Sequence, residues 1–186
     1  MIKNIHKESE LLIVVDEFDR PIGKMDKTLV HQNGLLHRAV SVIVVNSKNE
    51  VLLQQRAMSK YHSPGKWANT CCTHPYWEET NEEACKRRLK EEMGMECDKW
   101  YYWRKMQYFE DVGNGMVENE IDHLFFAFTD NLPNINKEEV MDYKYIPIED
   151  LQKEIENKKN NFTYWATLVL KEVNLPLVKK IKKLYE

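Results

Sequence analysis

Three histidines and one Glu-Asn-Glu triplet supply the side chains that a divalent ion needs. His31 and His37 bracket five residues, His74 follows Cys72 by two in Asn69-Thr70-Cys71-Cys72-Thr73-His74-Pro75, and Glu118-Asn119-Glu120 lies far downstream. On a strand, alternate residues point the same way, so Glu118 and Glu120 share a face. Three imidazoles and two carboxylates form a nitrogen and oxygen set suited to zinc, manganese or magnesium, with a sixth position for a second carboxylate oxygen or water. His6, His62 and His123 are the remaining histidines, and any of them could stand in for His31. Cys71 and Cys72 are neighbours whose side chains leave extended backbone on opposite faces. They do not bridge each other easily, and at most one faces a given pocket.

These residues need a scaffold, which the rest of the chain spells out in short strands and one well-marked helix. Leu11-Leu12-Ile13-Val14-Val15 reads as a buried strand, and Asp16-Glu17-Phe18-Asp19-Arg20-Pro21 as the turn that ends it. Apolar runs at 39–45 and 51–55 flank a polar connection of hairpin length. After a loop with Pro64-Gly65, Thr80-x-x-Glu83 forms a capping box for a helix that Gly94 ends. Strands are expected at about 101–109 and 121–128 around Gly113-Asn114-Gly115, and helices at 148–158 and 163–183, the second interrupted by Pro176. Hairpins and helices on a mixed sheet predict an α/β or α+β sandwich. Trp67 and Trp77 read as core, and Arg87 with Glu91 as a surface pair at i,i+4.

A length of 186 residues suits one domain, 1–186, with its core at about 11–165 and a C-terminal helix at 163–183. Hydrophobic and charged contents of 42% and 31% are those of a soluble globular protein. No apolar run approaches the roughly 20 residues that span a bilayer, and Met1 through Lys7 lacks an apolar core of signal-peptide length. A formal charge of −3 gives no general attraction to nucleic acid, and Lys179-Lys180-Ile181-Lys182-Lys183 reads as a solvated helix face. Four sparse cysteines fit a reducing cytoplasm. The expected partner is a small molecule, with neither nucleic acid nor membrane, and the expected state is a monomer or weak homodimer.

From Thr73 the chain runs five residues to Glu79 and seven more to Arg87-Arg88-Leu89-Lys90-Glu91-Glu92-Met93-Gly94-Met95. This spacing resembles the Nudix box, a loop–helix–loop that holds metal and diphosphate. Thr73 stands where the box has glycine, and Arg88 where it has the first of its metal-binding carboxylates. The Nudix branch known for such departures is type 1 isopentenyl diphosphate isomerase, whose Asn-Thr-Cys-Cys-x-His-Pro and Glu-Asn-Glu motifs resemble residues 69–75 and 118–120. The resemblance runs from Leu11 to Trp165 and takes in His-x5-His, Gln54-Gln55-Arg56 and Glu139-Val140-Met141-Asp142-Tyr143.

The resemblance implies a Nudix-like fold and conversion of isopentenyl diphosphate into dimethylallyl diphosphate. It maps one tightly held divalent metal (manganese, zinc or magnesium) onto His31, His37, His74, Glu118 and Glu120, and a magnesium arriving with the diphosphate onto Glu92. It makes Cys72 and Glu120 the proton-transfer pair, with Tyr108 hydrogen-bonding the carboxylate and Trp165 as an aromatic cap over a carbocation-like state. Lys27, Arg56, Lys60 and Arg88 match positions that grip phosphate oxygens. Trp165 also suits a plain core anchor for the last helix. The competing function is a Nudix hydrolase cleaving a nucleoside or prenyl diphosphate, which would need box carboxylates to activate water.

Overall fold

The computed structural model describes residues 11–60 and 62–184. The N-terminal stretch read for a signal segment, with His6, lies outside them. Strand β1 (Leu11–Val15) turns back into β2 (Pro21–Asp26), and Asp16 Oδ1 ties the turn by accepting from Phe18 N and Arg20 N at 3.0 and 2.9 Å. Asp26 ends β2 and caps α1 (Lys27–Gln32), its carboxylate accepting from Leu29 N at 3.1 Å. The sequence reading has neither β2 nor α1. Both are six residues long, too short for periodicity to register, and β2 is largely exposed.

Strand β3 (His37–Val45) is the hub. Along one edge it pairs in parallel with β8 (Met116–Phe128) over its whole length, from His37 opposite Glu120 to Val45 opposite Phe128. Its other edge is divided: β1 meets it at His37, β6 (Cys71–Thr73) at Val40 through Val42, and β4 (Glu50–Arg56) at Val45 alone. The expected hairpin is therefore a turn whose arms separate at once. Both runs are apolar on both faces, so local pattern cannot say which partner each takes. Strand β4 continues against β9 (Val140–Pro147) and the short β5 (Trp67–Ala68), neither of which the sequence announced as a strand. Strands β7 (Lys99–Gly113) and β8 form the longest hairpin and extend well past their predicted ends.

Helices cover both faces of this mixed sheet. Helix α2 (Asn81–Met93) lays Ala84, Cys85, Leu89 and Met93 on Val40, Val42 and Val44, while α3 (Ile148–Asn157), α4 (Tyr164–Leu170) and α5 (Leu175–Lys182) cover Ile43, Val45 and Phe126. Pro176 does not interrupt a running helix; it lies in the first turn of α5, where its missing N–H is harmless. The basic run at 179–183 keeps Ile181 buried and turns most of its lysines outward. Trp67 packs against the core, but Trp77 is 39% exposed and is not core. No described helix is long and apolar enough to cross a membrane.

Helix α2 begins and ends as its sequence requires. Thr80 Oγ1 accepts from Glu83 N at 3.2 Å, Glu83 Oε2 accepts from Thr80 N at 2.8 Å, and Gly94 closes the helix at φ +61°. A Cβ at Gly94 would stand 2.3 Å from the carbonyl oxygen of Asn134. Gly94→Ala therefore combines left-handed strain with a backbone clash and is expected to cost at least about 2 kcal/mol. Thermal unfolding should show it as a midpoint lowered by about 4–8 °C; an unchanged midpoint would contradict the close approach.

Candidate active site

Four elements bring the five predicted ligands together. His31 lies on α1, His37 begins β3, His74 follows β6, and Glu118 and Glu120 share the inner face of β8. One ligand atom from each, five in all, lies within 4.8 Å of every other. That is close to the ~4.4 Å that separates opposite ligands on one ion. His31 Nδ1 lies 2.7 Å from Lys27 O and His37 Nδ1 lies 2.8 Å from Leu35 O, which places a proton on each Nδ1. Their Nε2 atoms are buried without a hydrogen-bond partner and face carboxylate oxygens at 3.4 Å, His31 toward Glu118 and His37 toward Glu120. Two lone pairs facing each other call for a cation between them, so the donor set fits a divalent metal. His62 sits 3.4 Å from Glu118 Oε1 at the rim of this group, and His123 is elsewhere, paired with Asp19 at 2.9 Å. Among the described residues, His31 and not His62 or His123 completes the compact group with His37 and His74.

A cavity of about 530 Å³ opens beside this cluster. Cys72 and Glu120 both line it, while Cys71 is fully buried under α2. The opposite-face reading of the two cysteines holds. Cys72 Sγ donates to Asn69 Oδ1 at 3.2 Å and lies 3.3 Å from Ser41 Oγ, which donates to the buried Asp122 at 2.8 Å. Burial, with Asp122 nearby, pushes the thiol up to about 12, so it keeps its proton. Burial works against the Glu120 carboxylate as well. There, however, the His37 ring at 3.4 Å and the Tyr108 hydroxyl prevail and hold it down to about 2. Tyr108 donates its hydroxyl proton to Glu120 Oε2 at 2.5 Å.

The cationic end of the cavity holds Lys27, Arg56, Lys60 and Arg88. Arg88 Nη2 donates to Glu92 at 2.5 Å and Glu139 at 2.6 Å, and Gln54 holds the other oxygen of Glu92 at 2.7 Å. Arg56 donates to His62 O at 3.1 Å and lies 5.3 Å from the centre of the Trp165 ring, which is 5% exposed and lines the cavity from α4. Trp165 is thus both a core residue and a wall of the site.

Sequence reasoning missed several members. Asn69 and Ser41 flank the sulfur, and Thr70 Oγ1 ties the loop by accepting from Val44 N at 2.9 Å and donating to Leu52 O at 2.7 Å. Glu139 was visible only as part of a motif. The expected Arg87–Glu91 pair is present at 3.4 Å, but Arg87 is held more firmly elsewhere: Glu79 takes two bonds at 2.8 and 2.9 Å and Tyr76 lies 3.8 Å beneath the guanidinium. A spacing of eight across a cap has no helical signature, which is why the pair with Glu79 was not legible.

Residues 35–166 match the family model of the NUDIX domain. Solved structures agree on the fold: a Deinococcus radiodurans protein superposes at a TM-score of 0.70 with 22% identity, covering 86% of this chain and 97% of its own. A MutT NUDIX hydrolase from Burkholderia pseudomallei gives 0.60 at 18%, covering 75% and 98%. Fold and metal-suited cleft define a Nudix protein. Among curated proteins, the isopentenyl-diphosphate Delta-isomerase of Pectobacterium atrosepticum is 41% identical over 87% of this chain and 90% of its own length, and isopentenyl-diphosphate Delta-isomerase 2 of Photorhabdus laumondii is 42% identical over 87% and 90%. The chain belongs to the isopentenyl-diphosphate Delta-isomerase family.

Proposed function

We propose that this chain moves the double bond of isopentenyl diphosphate to give dimethylallyl diphosphate, adding one proton and removing another through a tertiary cation-like state. One observation carries the reading. The Cys72 thiol, which burial holds toward its protonated form, lines the same cavity as the Glu120 carboxylate, which accepts from Tyr108 and whose neighbours hold it toward its ionised form. A shift of a proton across three carbons needs one group of each kind, and their surroundings have set the two apart. Tyr108 bridges to Glu120 and can pass or hold its proton. Trp165 offers π-electron density to the cation-like state and helps keep out water that would trap it.

Lys27, Arg56, Lys60 and Arg88 take the diphosphate. His31, His37, His74, Glu118 and Glu120 are the ligands for a resident manganese, zinc or magnesium ion, and Glu92 for a magnesium that enters with the substrate. The resident ion would supply positive charge that orients Glu120 and keeps it ionised. A hydrolase would want a carboxylate where Arg88 stands. The four cysteines are free, which supports a reducing cytoplasm as the setting.

Incubation with isopentenyl diphosphate in heavy water tests the function. Deuterium should enter an allylic product whose diphosphate is intact; release of phosphate instead would make the chain a hydrolase. Metal should divide into two components, because five ligands hold an ion firmly and Glu92 cannot do so without phosphate. Dialysed protein should keep about one equivalent of divalent metal and still need added magnesium. His37→Ala should lose most of the retained metal. A metal-free wild type with an active His37→Ala variant would remove the cluster from the mechanism.

A further inference from the structure

Glu139 belongs neither to the proton-transfer pair nor to the five-ligand cluster, yet it stands between two of the phosphate-gripping cations. Its Oε2 accepts from Arg88 Nη2 at 2.6 Å and pairs with Lys60 Nζ. Glu92 Oε1 accepts from the same Arg88 nitrogen at 2.5 Å and lies 3.6 Å from the same Lys60 nitrogen. Two cations and two carboxylates thus form one compact group. The more exposed Glu91 takes a further bond from Arg88 Nη1 at 3.1 Å, so the positive charge of Lys60 and Arg88 is offset within it. The Glu139 side chain is 29% exposed, at the mouth of the cavity. Its backbone is fastened: Ala57 N donates to Glu139 O at 3.0 Å, Glu139 N donates to Asn136 O at 3.0 Å, and Ser59 Oγ donates to Glu138 O at 3.1 Å. The carboxylate is built into the site and is not carried on a free loop tip.

This offset has opposite effects on two forms of one ligand. A bare diphosphate approaching Lys60 and Arg88 meets Glu139 and Glu92 at similar range, so attraction and repulsion largely offset. A diphosphate that carries a divalent cation meets a pair of adjacent carboxylates, the ligands such an ion takes beside phosphate oxygens. Resting on the diphosphate reading above, we propose that Glu139 is a specificity-determining residue: it rejects metal-free diphosphate by like charge and, with Glu92, receives the cation of the metal complex. Selectivity built this way uses a repulsive element as well as an attractive one.

Calorimetric titration of the full chain with inorganic pyrophosphate, with and without added magnesium, tests this. Wild type should bind far better with magnesium. Glu139→Gln, of the same size but uncharged, should bind metal-free pyrophosphate on the order of tenfold tighter, and the advantage conferred by magnesium should shrink at least as much. Glu139→Asp keeps the charge and should keep most of that advantage. If Glu139→Gln retains the full advantage of magnesium, or Glu139→Asp loses it equally, Glu139 is not the discriminating group. Arg88→Ala separates the two layers of inference: wild-type affinity for magnesium pyrophosphate in that variant would mean that the diphosphate lies elsewhere, and the reading beneath the proposal would fail with it.

Discussion

Cys72→Ala should lower isomerisation by at least the 10²–10⁴-fold typical of a lost proton-transfer group while the fold and pyrophosphate binding persist. The sulfur lines the cavity and is held by Asn69 and Ser41, so its removal deletes chemistry and little packing. Cys71→Ala makes the contrast. That side chain is wholly buried against α2, and the change should cost about 1 kcal/mol of stability with little loss of rate. Turnover and urea unfolding of both variants decide the matter: equal rates in the two, or an essential Cys71, would reverse the assignment of faces.

Glu120→Gln should be as severe for a different reason. The amide keeps one oxygen for the ion and turns its NH2 toward the Tyr108 oxygen, but it cannot exchange a proton, so metal content should stay high while turnover falls by 10²–10⁴-fold. Glu118→Gln mainly weakens coordination and should recover in part with excess metal. Metal analysis beside turnover separates them. A Glu120→Gln enzyme of near-native rate would leave Cys72 without its partner and end the two-group mechanism.

The legible parts of the sequence were those governed by near neighbours. The Thr80–Glu83 box, the Gly94 stop and the strand at Leu11–Val15 depend on residues a few positions apart, and each lies where it was read. The alternation of Glu118 with Glu120, and of Cys71 with Cys72, needed only strand geometry. The motifs named the ligand set, but no local rule brings α1 beside β8, so His31 was separable from His62 and His123 only in three dimensions. For the same reason β3 and β4 read as a hairpin: a strand buried on both sides carries no mark of its partners. Ser41 was not singled out, and Asn69 and Glu139 were visible only as motif members without a role, because the site contacts of Ser41 and Glu139 are to residues that become neighbours only when the sheet closes.

The parallel ladder between β3 and β8 sets His37 directly opposite Glu120, although β4, β5, β6, the whole of α2 and β7 lie between the two strands along the chain. Parallel pairing of this kind is slow, because the loop must be closed before any contact rewards it. The ligand set is therefore among the last features to assemble, and an ion has no high-affinity place to bind until the ladder exists. On the proposed metal assignment, metal occupancy should then report completed folding: chains that fail to zip β3 to β8 should remain metal-free, and bound ion should add a concentration-dependent stabilisation to those that succeed.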